Sequence, residues 1–75
     1  MVTVRAFARY RILLGFESMD LPLPGPATLG ALLEAPAFAK LPAEALLAVN
    51  QRFAERSHPL ADGDEVALMP PVSGG

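Results

Sequence analysis

The sequence predicts an α+β domain over residues 1–69, one main helix packed on one face of a mixed β-sheet, with an extended tail over residues 70–75. Three observations carry this expectation. The chain opens with alternating β-branched residues, its middle holds a leucine stripe behind a capping threonine, and it closes with a second alternating stretch that runs straight into two prolines.

The opening stretch MVTVRAF places Val2, Val4 and Ala6 on one side and Thr3, Arg5 and Phe7 on the other. Such alternation reads as a half-buried strand with the valines inward and Phe7 on the outer face. In ARYRILLG, Tyr10, Leu13 and Leu14 have the i, i+3, i+4 spacing of one or two helical turns, and Gly15 ends them. FESMDLPL reads as a second strand with Met19 and Leu21 inward. Its prolines at 22 and 24 suit only the end of a strand or a sheet edge. Thr28 is a good N-cap for a helix bearing Leu29, Leu32 and Leu33 on one face, and Pro36 ends it by pushing Ala35 out of the helical region.

AFAKLPAEA reads as irregular or as a second short turn. Leu46 to Ala54 reads as a third strand that turns near Asn50 and Gln51. Asp62-Gly63 is a turn signal, and Glu65 to Met69 alternates into a last strand with Val66 and Leu68 inward. If the first and last strands are neighbours in mid-sheet, they run parallel, joined through the crossover that contains the helix. That order, strand–strand–helix–strand–strand, is the β-grasp or ubiquitin-like arrangement. It leaves one sheet face open, with Phe7 and Met69 both on it.

Composition narrows the function. A chain of 75 residues buries only about 60% of its unfolded surface, and with no cysteine it has neither disulfides nor a thiolate metal site. Its 52% apolar content must therefore hold it together. A net charge of −2 argues against nucleic acid as partner, because Arg5, Arg9 and Arg11 are a weak patch in an acidic protein. No apolar stretch approaches the ~18 residues of a membrane span, and the N-terminus lacks a signal-peptide pattern, so a cytoplasmic location is expected. One histidine, one lysine and no cysteine leave few side chains for catalysis.

The tail PPVSGG, Pro70 to Gly75, spans roughly 20 Å when extended. Pro70 and Pro71 cannot donate ladder hydrogen bonds, so the last strand must stop and the chain must leave the body along a stiff path. Gly74 and Gly75 have no Cβ and fit a tunnel too narrow for other residues. The group delivered there is the Gly75 carboxylate, a poor electrophile until it is activated. ATP can activate it as an acyl-adenylate, and an attacking sulfur then gives a thiocarboxylate. The carrier needs no catalytic side chain of its own for this.

The segments VTVRAFARYRILLG at 2–15, VNQ at 49–51 and HPLADGDEVALMPPVSGG at 58–75 resemble the small subunits of molybdopterin synthase, of the MoaD/ThiS ubiquitin-like sulfur-carrier family. The likeness covers essentially the whole chain. Thiamine-pathway carriers also end in Gly-Gly, usually without the paired prolines, which favours the molybdenum branch. The resemblance implies that Gly75 is adenylated by a ubiquitin-activating-like adenylyltransferase using ATP, then thiocarboxylated from a sulfur donor system. It further implies that Val72, Ser73 and Gly74 thread a pocket of the large synthase subunit in a heterotetramer. There the sulfur passes to cyclic pyranopterin monophosphate, building the molybdopterin dithiolene. Pro70 and Pro71 set the tail exit, while Phe7 and Met69 form part of the docking face. The small subunit binds no cofactor or metal and is non-catalytic alone. At Met69 relatives often carry an aromatic residue, and at Ser73 threonine or alanine is common.

Other residues suggest more than they do. His58, before a proline in a turn, reads as a surface loop residue. Asp62, Asp64 and Glu65 supply too few oxygens for a calcium-type site and read as hairpin-turn chemistry. Lys40 reads as solvated. Three other functions fit the same chain: a sulfur carrier for tRNA thiolation or thiamine synthesis, a ubiquitin-like modifier joined to lysines, and an interaction module indifferent to its tail.

Overall fold

The computed structural model describes residues 1–23 and 25–71. The main sheet has five strands in the order β2-β1-β7-β4-β5, with β1 Val2–Ala6, β2 Ser18–Leu21, β4 Leu46–Val49, β5 Arg52–Phe53 and β7 Glu65–Met69. The first and last strands pair in parallel at its centre, with Val4 opposite Val66 and Ala6 opposite Leu68. β2 runs antiparallel to β1 and β4 antiparallel to β7. The sequence-based reading of one helix crossing a mixed sheet thus holds at the level of topology. β2 is an edge strand, and it stops at Leu21 as Pro22 requires.

Alternation decides what is buried. Val2, Val4, Ala6, Val66 and Leu68 point into the core, joined by Leu47 and Val49 of β4. Opposite them lie Tyr10, Leu29, Leu32, Leu33, Phe38 and Leu60. Phe16 meets Phe38 edge-on at 6.0 Å between ring centroids, a favoured aromatic geometry.

α1, Arg9–Leu14, fills the connection between β1 and β2 and ends at Gly15, whose φ of 82° few residues with a side chain adopt. Tyr10 is its buried residue, while Leu13 is 40% exposed, so the leucine pair splits between core and rim.

The helix behind Thr28 is shorter than its leucine stripe suggests. α2 spans only Leu29–Leu32, fewer residues than α1, and a 3-10 turn follows at Pro36–Phe38. Ala35, ahead of Pro36, is extended at ψ 148°, which breaks the helix. The start of α2 is well satisfied. Thr28 Oγ1 accepts the Ala31 N–H at 3.2 Å, and the N–H groups of Leu29 and Gly30 donate to the His58 and Arg56 carbonyls, each at 2.8 Å.

A second, two-stranded sheet lies outside the sequence expectation. It pairs β3, Ala27–Thr28, with β6, Pro59–Leu60, and so joins the helix entrance to the chain ahead of β7. Leu46–Ala54 divides at Asn50-Gln51 into β4 and β5, with Val49 opposite Arg52.

Candidate docking face and tail exit

The site grows out of β7, the central strand of the sheet, flanked by β1 and β4. It ends at Met69, beyond which Pro70 and Pro71 lie half-buried and outside any strand. The two prolines, which have no N–H to donate, end the ladder at the centre of the sheet. The tail residues Val72, Ser73, Gly74 and Gly75 lie outside the described residues.

With Val66 and Leu68 turned inward, Glu65, Ala67 and Met69 line the other face. A shallow depression of about 330 Å³ on it is lined by Arg5, Phe7, Ala48, Gln51, Phe53, Glu65, Ala67 and Met69. Among the described residues no helix lines that depression. Phe7 and Met69 are thus on one surface, Phe7 39% exposed and Met69 half-buried at the last position before Pro70. Phe7 is fixed by its N–H, which donates to the Leu68 carbonyl at 3.0 Å. The Arg5 guanidinium carbon sits 5.7 Å from the Phe7 ring centre and 3.8 Å separates Arg5 from Glu65. The arginine therefore caps the apolar floor with a cation over an aromatic ring.

Phe53 is the residue that sequence reasoning missed. It is 76% exposed on β5, opposite Ala48, and widens the apolar floor toward the sheet edge. Once the turn is centred on Asn50-Gln51, the register alone puts Phe53 on the face opposite Leu47 and Val49. Alternation read through the turn could have found it.

The rim of this face is held by a small polar cluster. Asn50 Nδ2 donates to Asp64 Oδ1 at 2.9 Å, and Asn50 Oδ1 accepts the Glu65 N–H at 3.0 Å. Asp64 Oδ2 accepts the Ala61 N–H at 2.8 Å. The Ala61 N–H, and after it the Asn50 amide, hold the Asp64 carboxyl below its ordinary 3.8. Asp62 pairs with the Met1 ammonium. These acids are engaged in the turn, and no cluster of three or more metal-ligating side chains occurs among the described residues. His58 is exposed and contributes its carbonyl to the α2 entrance, and Lys40 is exposed. Among the described residues no helix is long and apolar enough to cross a membrane.

The profile of the ThiS family matches residues 4–75, nearly the whole chain and including its last glycine. The chain belongs to the ThiS family. Among ThiS-like relatives, the molybdopterin synthase sulfur carrier subunit of Escherichia coli is 37% identical over 81 residues, covering 100% of each chain. Two solved structures share the fold. The small archaeal modifier protein 1 of Haloferax volcanii superposes with a TM-score of 0.82 at 26% identity, over 95% of this chain and 97% of that one. A chain of the complex of subunits 1 and 2 of molybdopterin-converting factor from Helicobacter pylori matches with a TM-score of 0.68. Its identity is 26%, over 99% of this chain and 97% of that one.

Proposed function

We propose that this ThiS-family chain is the sulfur-carrier small subunit of a molybdopterin synthase. The observation that carries the reading is the 37% identity, over the full length of both chains, to a subunit of that name. The fold supports it. The central strand β7 ends beside an open apolar face and runs into Pro70-Pro71, an arrangement suited to docking a body and delivering a tail.

In this reading the Gly75 carboxylate attacks the α-phosphate of ATP in an activating enzyme of the adenylyltransferase type, releasing pyrophosphate. A sulfur nucleophile from a donor system then attacks the acyl carbon, the bond to the adenylate oxygen breaks, and AMP leaves a thiocarboxylate on Gly75. Val72, Ser73 and Gly74 thread the large subunit, Pro70 and Pro71 set the exit direction, and Phe7, Phe53 and Met69 bury against that subunit. The partner supplies the pocket and the catalytic groups, and the sulfur passes to cyclic pyranopterin monophosphate. The chain binds no cofactor of its own, and ATP is consumed in the activating enzyme. In this reading the chain works in the cytoplasm, together with its activating enzyme.

The test is the intact mass of the protein from cells that contain its activating enzyme. One sulfur in place of one oxygen on the C-terminal peptide, absent when Gly75 is deleted and resolved from oxidation of Met69, is the expected result. A plain carboxylate despite ATP, a sulfur donor and the activating enzyme defeats the reading.

A second reading, a ubiquitin-like protein modifier, draws on the TM-score of 0.82 to the Haloferax modifier protein. Isopeptide adducts of Gly75 on lysines of many cellular proteins would favour it.

A further inference from the structure

We propose that Gln51 is a specificity-determining contact of the open face, its side-chain amide hydrogen-bonding a neutral polar group, such as a peptide amide, of the partner subunit. The inference rests on the docking reading above and deepens it.

The β4–β5 connection has two residues, Asn50 and Gln51, at φ of 52° and 70°. A two-residue hairpin with both central residues in the left-handed region favours asparagine followed by glycine. Asn50 fits that rule, and its side chain is engaged with Asp64 and Glu65. Gln51 does not. Its Cβ crowds the backbone in the left-handed region, and its side chain forms no hydrogen bond among the described residues. Nothing within the described fold offsets a glutamine where glycine would sit without strain.

What the position does offer is location. The Asn50 N–H donates to the Glu65 carbonyl at 2.8 Å, so the turn is pinned to β7 and Gln51 cannot drift with a loose hairpin. Gln51 is exposed and lines the depression beside Phe53, Arg5 and Glu65. Its uncharged amide is both donor and acceptor at the edge of an apolar floor otherwise rimmed by one cation and one anion. Among the non-glycine described residues only Ala8, Asn50 and Gln51 have a positive φ, and of these Gln51 alone lines the depression. Residues held in unfavourable backbone conformations without internal compensation gather where a site needs them.

The experiment measures two quantities on the full-length chain: the unfolding midpoint, and the affinity for the purified large subunit of molybdopterin synthase from the same organism. The variants are Gln51→Gly and Gln51→Asn, which both relieve the strain, with Phe53→Ser as a probe of the face itself. The expected result is opposite signs: both Gln51 variants unfold at higher temperature, yet bind the large subunit about 5-fold or more weakly. A turn residue with no partner contact would raise stability and leave affinity unchanged, and that outcome overturns the inference while weakened binding by Phe53→Ser keeps the docking reading. Unchanged binding by Phe53→Ser sinks the docking face, and the inference with it. Loss of stability in Gln51→Gly also overturns it, because the strain would then be absent.

Discussion

The side-chain amide of Asn50 donates to the Asp64 carboxylate at 2.9 Å, tying the β4–β5 turn to the residue that precedes β7. The same asparagine accepts the Glu65 N–H, so one side chain binds the β4–β5 turn to both residues at the entrance of β7. Asn50→Gly keeps the backbone's freedom at positive φ but removes both bonds. It should cost about 1–2 kcal/mol, one of the bonds being to a charged group. Urea unfolding checks this, as a lowered midpoint at unchanged slope.

Asp64 gives the cluster a pH signature. Its folded carboxyl is held below the ordinary 3.8 by the Ala61 N–H and then by Asn50. A depressed folded value means that the unfolded chain takes up the proton first as pH falls. The contribution to stability is therefore full above about 4 and is lost as pH drops through the folded value. The stability difference between the native chain and Asp64→Asn should be flat at neutral pH and shrink only in that acid range. A difference that persists undiminished at the acid end would contradict the assignment.

Tyr10 is 1% exposed, and its hydroxyl has no hydrogen-bond partner among the described residues. A buried phenol without a partner carries a desolvation cost. Tyr10→Phe, which keeps the ring, should leave stability unchanged or raise it by up to about 1 kcal/mol. Leu68→Ala, at a fully buried position in the central strand, should lower it by about 2–5 kcal/mol. Thermal melts of the two variants should shift in opposite directions or differ widely.

Gly30 opens α2 against the loop that carries Arg56. A Cβ there would stand 3.1 Å from both the Cβ and the carbonyl oxygen of Arg56, and that oxygen also accepts the Gly30 N–H at 2.8 Å. Gly30→Ala gains about 1 kcal/mol in helix propensity. Relieving the contact moves the very carbonyl that caps the helix, so overpacking of about 1–3 kcal/mol should outweigh the gain. A more stable Gly30→Ala would mean that the loop yields freely.

The strands that form the core's centre were legible because half-buried strands write a period of two: Val2, Val4, Val66 and Leu68 are all buried as their alternation implied. The β3–β6 pair was not, because Ala27–Thr28 and Pro59–Leu60 are too short to carry any period. The leucine stripe overstated α2, since Leu33 belongs to the cap and Pro36 sets a hard limit. Phe7 and Met69 could be placed on the open face from strand parity alone. Phe53 required the register across a turn, and the strain at Gln51 lies in dihedral angles that composition does not reveal. The roles expected for Val72 to Gly75 fall outside the described residues.

The parallel pairing of β1 with β7 has a consequence for how the protein comes to be made. β1 has its central neighbour in β7, the last made of the five strands, so the middle of the sheet stays vacant until β7 has been synthesised. A chain cut short before residue 69 lacks the strand that β1 and β4 both need, and it exposes two ladders of unpaired backbone groups. Such a fragment would still carry β1, β2 and β4, but no central strand to join them into one sheet. Topology thus acts as proofreading: the sheet closes only when every strand that precedes β7 is already in place.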